Sequence, residues 1–261
     1  MAIVFDGPVT PDAQTVFIRN VPTPAEFSLS DLLPDRYFDR NTIDLAEITR
    51  TNRTARFRAF DGRLHVSERD TGVTKQVKLP PLSTSLNKGE LERLQLEFAR
   101  NAGGDPAQVV NAIYDDSTNL TREVQARMEQ ARGDVLTDGK FTLAGEGGLF
   151  MEADYGVPGT HIVAPGTLWT TVATATIIAN LTAWVDVYVA TNGFAPGGMA
   201  TSRRVVNLML QNAEIRTLAA SLSGTPSLVT RGALDNVLEA FGLPPIIKVY
   251  DTVVDVDGVS T

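Results

Sequence analysis

The chain has no cysteine among its 261 residues, which excludes a disulfide framework, a thiolate nucleophile and a thiolate metal ligand. Histidine is nearly as scarce. His65 lies in a strongly charged stretch and His161 in a Gly- and Pro-containing one. No HxxxH, HxxE or Cys-His spacing supports a metal site, and no G-x-S-x-G elbow supports a serine nucleophile. Neither a metal nor an organic cofactor is therefore expected. Long hydrophobic runs are also missing: the best, Thr176 to Ala190, is interrupted by Asn180, Thr182 and Asp186 and is too short for a bilayer span. The opening residues, MAIVFDGPVTPDAQ, lack the basic region and apolar run of a secretory signal, so a soluble protein made inside the cell is expected. Positive charge is in deficit, with 23 Lys and Arg against 31 acids, a net charge of −8 and a pI near 4.8. That balance argues against a nucleic-acid reader, which needs a basic face to neutralise phosphates.

What is present is unevenly placed. From Thr51 to Leu79 the chain reads TNRTARFRAFDGRLHVSERDTGVTKQVKL, where seven Lys or Arg stand against three acids and leave the stretch at +4. Asp61-Gly62 and Thr71-Gly72 are turn signals, and the apolar residues are few and scattered. A β-rich arm of this composition cannot bury a face of its own and needs a neighbour to lie on. The last stretch, Asp235 to Thr261, carries five acids and one Lys. A basic arm and an acidic end in one chain can pair between copies, where complementary charge sets register and partner choice.

Residues 1–50 hold Pro8, Pro11, Pro22, Pro24 and Pro34 and read as an extended N-terminal arm, with at most one helical turn before Pro34. A helix is expected from about Glu90 to Asn101, ended by Gly103-Gly104. Asp105-Pro106 then restarts helix with a capping acid and a first-turn Pro. The run Ser117 to Thr137 is the strongest helix, with Leu120, Val124, Met128, Ala131 and Val135 in one stripe and Gly139 just past its end. Its apolar face is narrow, which suits a helix lying across a surface. Lys140 to Tyr155 reads as a hairpin turning at Gly145-Glu146-Gly147-Gly148. From Gly166 the texture becomes that of a compact α/β unit with a core: a helix apolar nearly all round ending at Asn192-Gly193, a helix capped by Thr201 or Ser202, a helix capped by Thr230, and a β-branched strand from Ile246 to Val254.

Candidate chemistry is thin. The Gly145–Gly148 cluster leads into strand-like residues and does not continue to Lys-Ser/Thr, so it is a turn and not a phosphate loop. Gly197-Gly198 before Thr201-Ser202-Arg203-Arg204 is a better anion site on paper, because helix N-termini attract anions; a turn followed by an N-cap explains it more simply. Glu146, Glu152 and Asp154 read as a solvated acidic face.

The order of parts resembles the major capsid proteins of tailed bacteriophages with the HK97-like fold, in particular the lambda-type capsid protein E branch. The residues that carry the likeness are SLSDLLPDRYFDRNTIDLAEITR (28–50), KLPPLSTSLNKGELERLQLEFAR (78–100), LTREVQARMEQARGDVLTDGKFTLAGEGG (120–148) and TATIIANLTAWVDVYVATNGFAPGGMATSRRVVNLML (174–210). The resemblance implies an α+β fold with an N-terminal arm (1–50), a β-hairpin E-loop (51–89), a peripheral domain (90–165) with a spine helix at about 117–138, an axial domain (166–250), and a return towards the peripheral domain (251–261). It also implies a structural subunit without an active site, forming hexamers and pentamers of an icosahedral shell around packaged double-stranded DNA. Such a shell is built in the host bacterial cytoplasm, binds DNA without sequence specificity and involves no membrane. Scaffolding, decoration and portal proteins are the further partners it implies. Family members usually continue past the point matching Asp251–Thr261, which leaves the closure of the peripheral domain open. Lys75, Lys78 and Lys88 are available for a cross-link, but no residue marks an acceptor Asn.

On this reading the residues that matter are interfacial. Arg56, Arg58, Arg63 and Arg69 are expected to meet acids on a neighbouring subunit, and Glu90 and Glu92 are expected partners within or between capsomers. Loops at Gly193–Gly198 and Ser221–Pro226 are candidates for packing at the capsomer axis. Two alternatives stand beside it. An encapsulin shell shares the fold but encloses enzymes, and the long Pro-containing N-terminal segment weighs against it. A small α/β enzyme would use the Thr201–Arg204 anion site.

Overall fold

The computed structural model describes residues 9–48, 72–85, 106–146, 148–220, 229–256 and 259–260. They fall into two units, each built from separated stretches of chain. The first takes its described residues from 1–41, 79–136 and 252–261, and the second from 42–78 and 137–251.

In the first unit the N-terminal segment is not extended throughout. Pro11–Arg19 forms a helix, α1, because Thr10 accepts a hydrogen bond from Ala13 N at 3.3 Å, Pro11 occupies the first turn and Asp12 faces the positive end of the helix. The Pro-based expectation of an extended course missed this cap. Further on, Leu29–Asp31 makes a single 3-10 turn before Pro34. The dominant element is α2, a continuous helix of 33 residues from Pro106 to Asp138, about 50 Å long at ~1.5 Å per residue. The restart expected at Pro106 and the helix expected from Ser117 are one helix. Their junction is marked instead by hydroxyls bonding back along the helix: Ser117, Thr118 and Thr121 donate to the carbonyls of Ile113, Tyr114 and Ser117.

The second unit holds two antiparallel ribbons. Strands β1 (Thr42–Ile48) and β2 (Gly72–Lys78) pair from Thr42↔Lys78 to Ile48↔Gly72, so strand structure begins inside the region read as the N-terminal arm. Strands β3 (Lys140–Glu146) and β4 (Leu149–Asp154) pair as expected around the Gly-rich turn. Gly139, with φ +65°, turns the chain out of α2 into β3; a Cβ there would stand 2.7 Å from Val157 Cβ.

The core of this unit is helical. It comprises α3 (Ile177–Asn192), α4 (Arg203–Gln211), α5 (Ala213–Leu218) and α6 (Arg231–Ala240) beside a parallel pair, β5 (Met199–Thr201) and β6 (Ile246–Val249). Ile177, Ile178, Leu181, Met209, Ile215, Leu234 and Leu238 pack into one cluster. The caps read from the sequence are made: Ser202 accepts from Val205 N and Thr230 from Ala233 N, each at 3.3 Å. Gly193, at φ 77°, ends α3. Fully buried Asn212 caps α5 through Ile215 N and donates to the carbonyls of Val172 and Ala175, while Glu214 receives Ile178 N at 3.0 Å and so caps α3. Two short strands, β7 (Asp255–Val256) and β8 (Val259–Ser260), pair near the end of the chain in the first unit.

Candidate assembly surfaces

The first unit fastens its N-terminal segment to α2 with polar contacts. Glu129 is 1% exposed, yet both carboxylate oxygens are used: Oε1 accepts from Leu29 N at 2.7 Å and Oε2 from Arg132 Nη1 at 3.0 Å. The other arm of Arg132 reaches Asp35. Burial opposes the charge on Arg132, but the hydrogen bonds to Asp35 and Glu129 outweigh it and hold the guanidinium's pKa above its ordinary value. Gln14 Nε2 donates to buried Ser117 Oγ at 2.8 Å, and the rings of Phe17 and Tyr114 lie 4.5 Å apart. A segment held at three places along one helix is a fixed part of the subunit surface. Beyond it Tyr37 is 94% exposed and Phe38 half exposed.

The ribbons of the second unit present faces of different kinds. Ile43 lies directly opposite Val77, both half-buried, while Asp44 and Gln76 form the next pair and are joined by a 3.1 Å hydrogen bond. On β3 and β4, Lys140 Nζ lies 3.2 Å from Glu152 and 3.9 Å from Asp154, so part of the supposed acidic face is neutralised. The hydrogen bond from Glu152, then the charges of Glu152 and Asp154, raise the pKa of Lys140. Phe150, near the turn, is 81% exposed and lies against Gly145.

The sites that would carry chemistry are otherwise engaged. At the start of α4, Asp251 accepts from Arg203 N at 2.8 Å and pairs with Arg203 Nε at 3.2 Å, so the chain's own carboxylate fills the anion position offered by Thr201–Arg204. His161 Nε2 lies 3.1 Å from Thr191 Oγ1 and its ring meets the edge of Tyr188. Among the described residues no group of three or more His, Asp or Glu could hold a metal ion, and no helix is long and apolar enough to cross a membrane.

Of the residues singled out from sequence, Arg56, Arg58, Arg63, Arg69, Glu90 and Glu92 lie outside the described residues, as do His65, the helix expected at 90–101 and the loop Ser221–Pro226. Gly193–Gly198 is described: Phe194 stands exposed just beyond α3, and Pro196 and Gly198 border a depression beside that helix. Glu129, Arg132 and Asp35 were missed. Their only sequence signal was the i,i+3 spacing of the first two, common on solvated helix faces.

Exposed aromatics, amphipathic ribbons and a strongly anchored terminal segment, with the anion position already filled, define a protein that works through its surfaces. The family model for phage major capsid protein E matches residues 10–261, and the chain belongs to that family of structural capsid subunits. No curated protein and no solved structure matches the chain.

Proposed function

We propose that this capsid protein assembles into hexamers and pentamers that close as an icosahedral shell around packaged double-stranded DNA, with an HK97-like division into N-terminal arm, E-loop, peripheral domain and axial domain. The observation that carries the reading is the family match over residues 10–261. The ribbon agrees with it: the chain leaves β1 at Ile48 and re-enters β2 at Gly72, its direct partner, so residues 49–71 are inserted at one point of the ribbon. That insertion includes Arg56, Arg58, Arg63 and Arg69, which we assign to acids on a neighbouring subunit, with Glu90 and Glu92 as further contacts within or between capsomers. Exposed charge pairs contribute about 0–1 kcal/mol each, so many contacts must act together and association must be cooperative. Scaffolding, decoration and portal proteins are the outside partners of such a shell. Asp251 at the start of α4 leaves the enzyme alternative without its anion site.

Negative-stain electron microscopy of the purified protein at rising concentration tests the proposal. Closed shells or capsomer rings are expected. Isolated subunits at every concentration, with and without the phage's other head proteins, would sink it.

A further inference from the structure

Helix α3 poses a problem that a single copy of the chain does not solve. Its 16 residues, IIANLTAWVDVYVATN, include one ionisable side chain, Asp186. A helix apolar nearly all round belongs in an interior. Yet its buried residues, Ile177, Ile178 and Leu181, all lie in its first half. In the second half Val187 and Val189 are exposed, and Phe194 just beyond it is 62% exposed. Ile162 and Val163, in the loop that leads towards α3, are exposed as well.

Between that loop and the helix lies the depression noted above, of about 380 Å³. Its lining includes His161, Val163, Trp184, Val187, Tyr188 and Met199, and no Asp, Glu, Lys or Arg. The aromatic groups are connected. Trp169 stacks on Trp184 at 5.6 Å, and Phe194 and His161 each meet Tyr188 at 6.0 Å. These are the chain's only two tryptophans. An exposed aromatic and aliphatic patch on a folded protein marks a place where another macromolecule sits, and Trp and Tyr anchors dominate such contacts.

We infer that a second copy of this chain covers this face. The inference rests on the shell-subunit reading and adds the surface that the subunits use. Charge selects the occupant. Each copy carries −8, so two copies repel wherever acidic surfaces meet. A lining free of charge removes that repulsion for an identical partner. It offers nothing to nucleic acid or to a basic protein, which would seek the chain's acids. The contact joins this patch to a different surface of the neighbour, as a ring or shell of identical subunits requires.

The two tryptophans supply the readout. Full-length protein is followed by sedimentation velocity and tryptophan emission as concentration rises, for the wild type, Phe194→Asp, Val187→Asp and the conservative Phe194→Leu. Far-UV circular dichroism confirms that each variant folds, as exposed positions allow. The wild type should shift its emission to the blue as it assembles. Either Asp variant should need at least a tenfold higher concentration, the loss expected for one anchor of an interface, and Phe194→Leu should stay near wild type. Assembly with unchanged emission, or Asp variants that assemble like the wild type, overturns the inference and leaves the shell reading standing. Blue emission already present in the dilute monomer assigns the cover to the chain's own residues and overturns it too. A wild type that never assembles removes the shell reading, and this inference with it.

Discussion

Glu129 shows how a charge can sit inside this protein at a tolerable cost. A carboxylate at 1% exposure would be strongly disfavoured alone, but it receives a backbone N–H and a guanidinium, and that guanidinium is shared with Asp35. Removing the acid therefore strands two donors. Glu129→Ala should destabilise the protein by about 3 kcal/mol, read from urea unfolding, and should expose residues before α2 to protease before the rest. Glu129→Gln keeps an acceptor for Leu29 N and should cost less. Glycine makes a second test at this scale. At Gly139 an added Cβ meets both a left-handed backbone and Val157 at 2.7 Å, whereas at Gly232, inside α6, it meets open space. Gly139→Ala should lower the melting temperature by ~3 °C or more, and Gly232→Ala should leave it level or raise it. Equal effects from the two would show that the close approach to Val157 is not maintained in solution.

At the level of elements, the second unit was the legible part. Its helices announce themselves because Ser202, Thr230, Gly193 and Gly242 punctuate apolar periodicity, and the caps form as spelled. The short helix α5 escaped notice because its cap, Asn212, sits inside the core and satisfies carbonyls of a distant loop, which spacing alone does not reveal. Helix α1 escaped because five prolines in the first 50 residues outweighed the one Thr-Pro-Asp start that was also there. The assembly surfaces were legible by chemistry and not by position: the arm's charge was evident, while the anchoring by Glu129 depends on residues 100 apart in sequence coming together. The ribbon offers a prediction of its own. Ile43 and Val77 are direct partners that remain half-buried, so Val77→Asp should leave monomer stability within about 1 kcal/mol and abolish assembly if that ribbon lies on a neighbour. Circular dichroism melts and light scattering separate the two effects.

For the whole molecule, the balance between repulsion and attraction becomes testable through salt. Copies at −8 repel one another, and screening acts over about 8 Å at physiological ionic strength. The uncharged face beside α3 is untouched by screening, while contacts made by the Arg-rich segment weaken with it. Raising sodium chloride from about 0.1 to 0.5 M should lower the concentration at which light scattering reports assembly. The opposite response would hand the larger share to the charged arm and reduce that of the apolar patch.

One further consequence lies in the bond from Thr252 Oγ1 to the carbonyl of Glu26, 226 residues earlier. The first unit draws on chain from before β1, on α2 and on the stretch after Asp251, whereas the helical core of the second lies wholly within 137–251. During synthesis that core can therefore condense as it leaves the ribosome, while the first unit still waits for its last strands. Closure of the first unit then comes late, and a surface that needs both units is offered to neighbours only by chains whose translation has passed residue 252. Shell growth would in this way be restricted to finished subunits by the order in which the polypeptide is threaded.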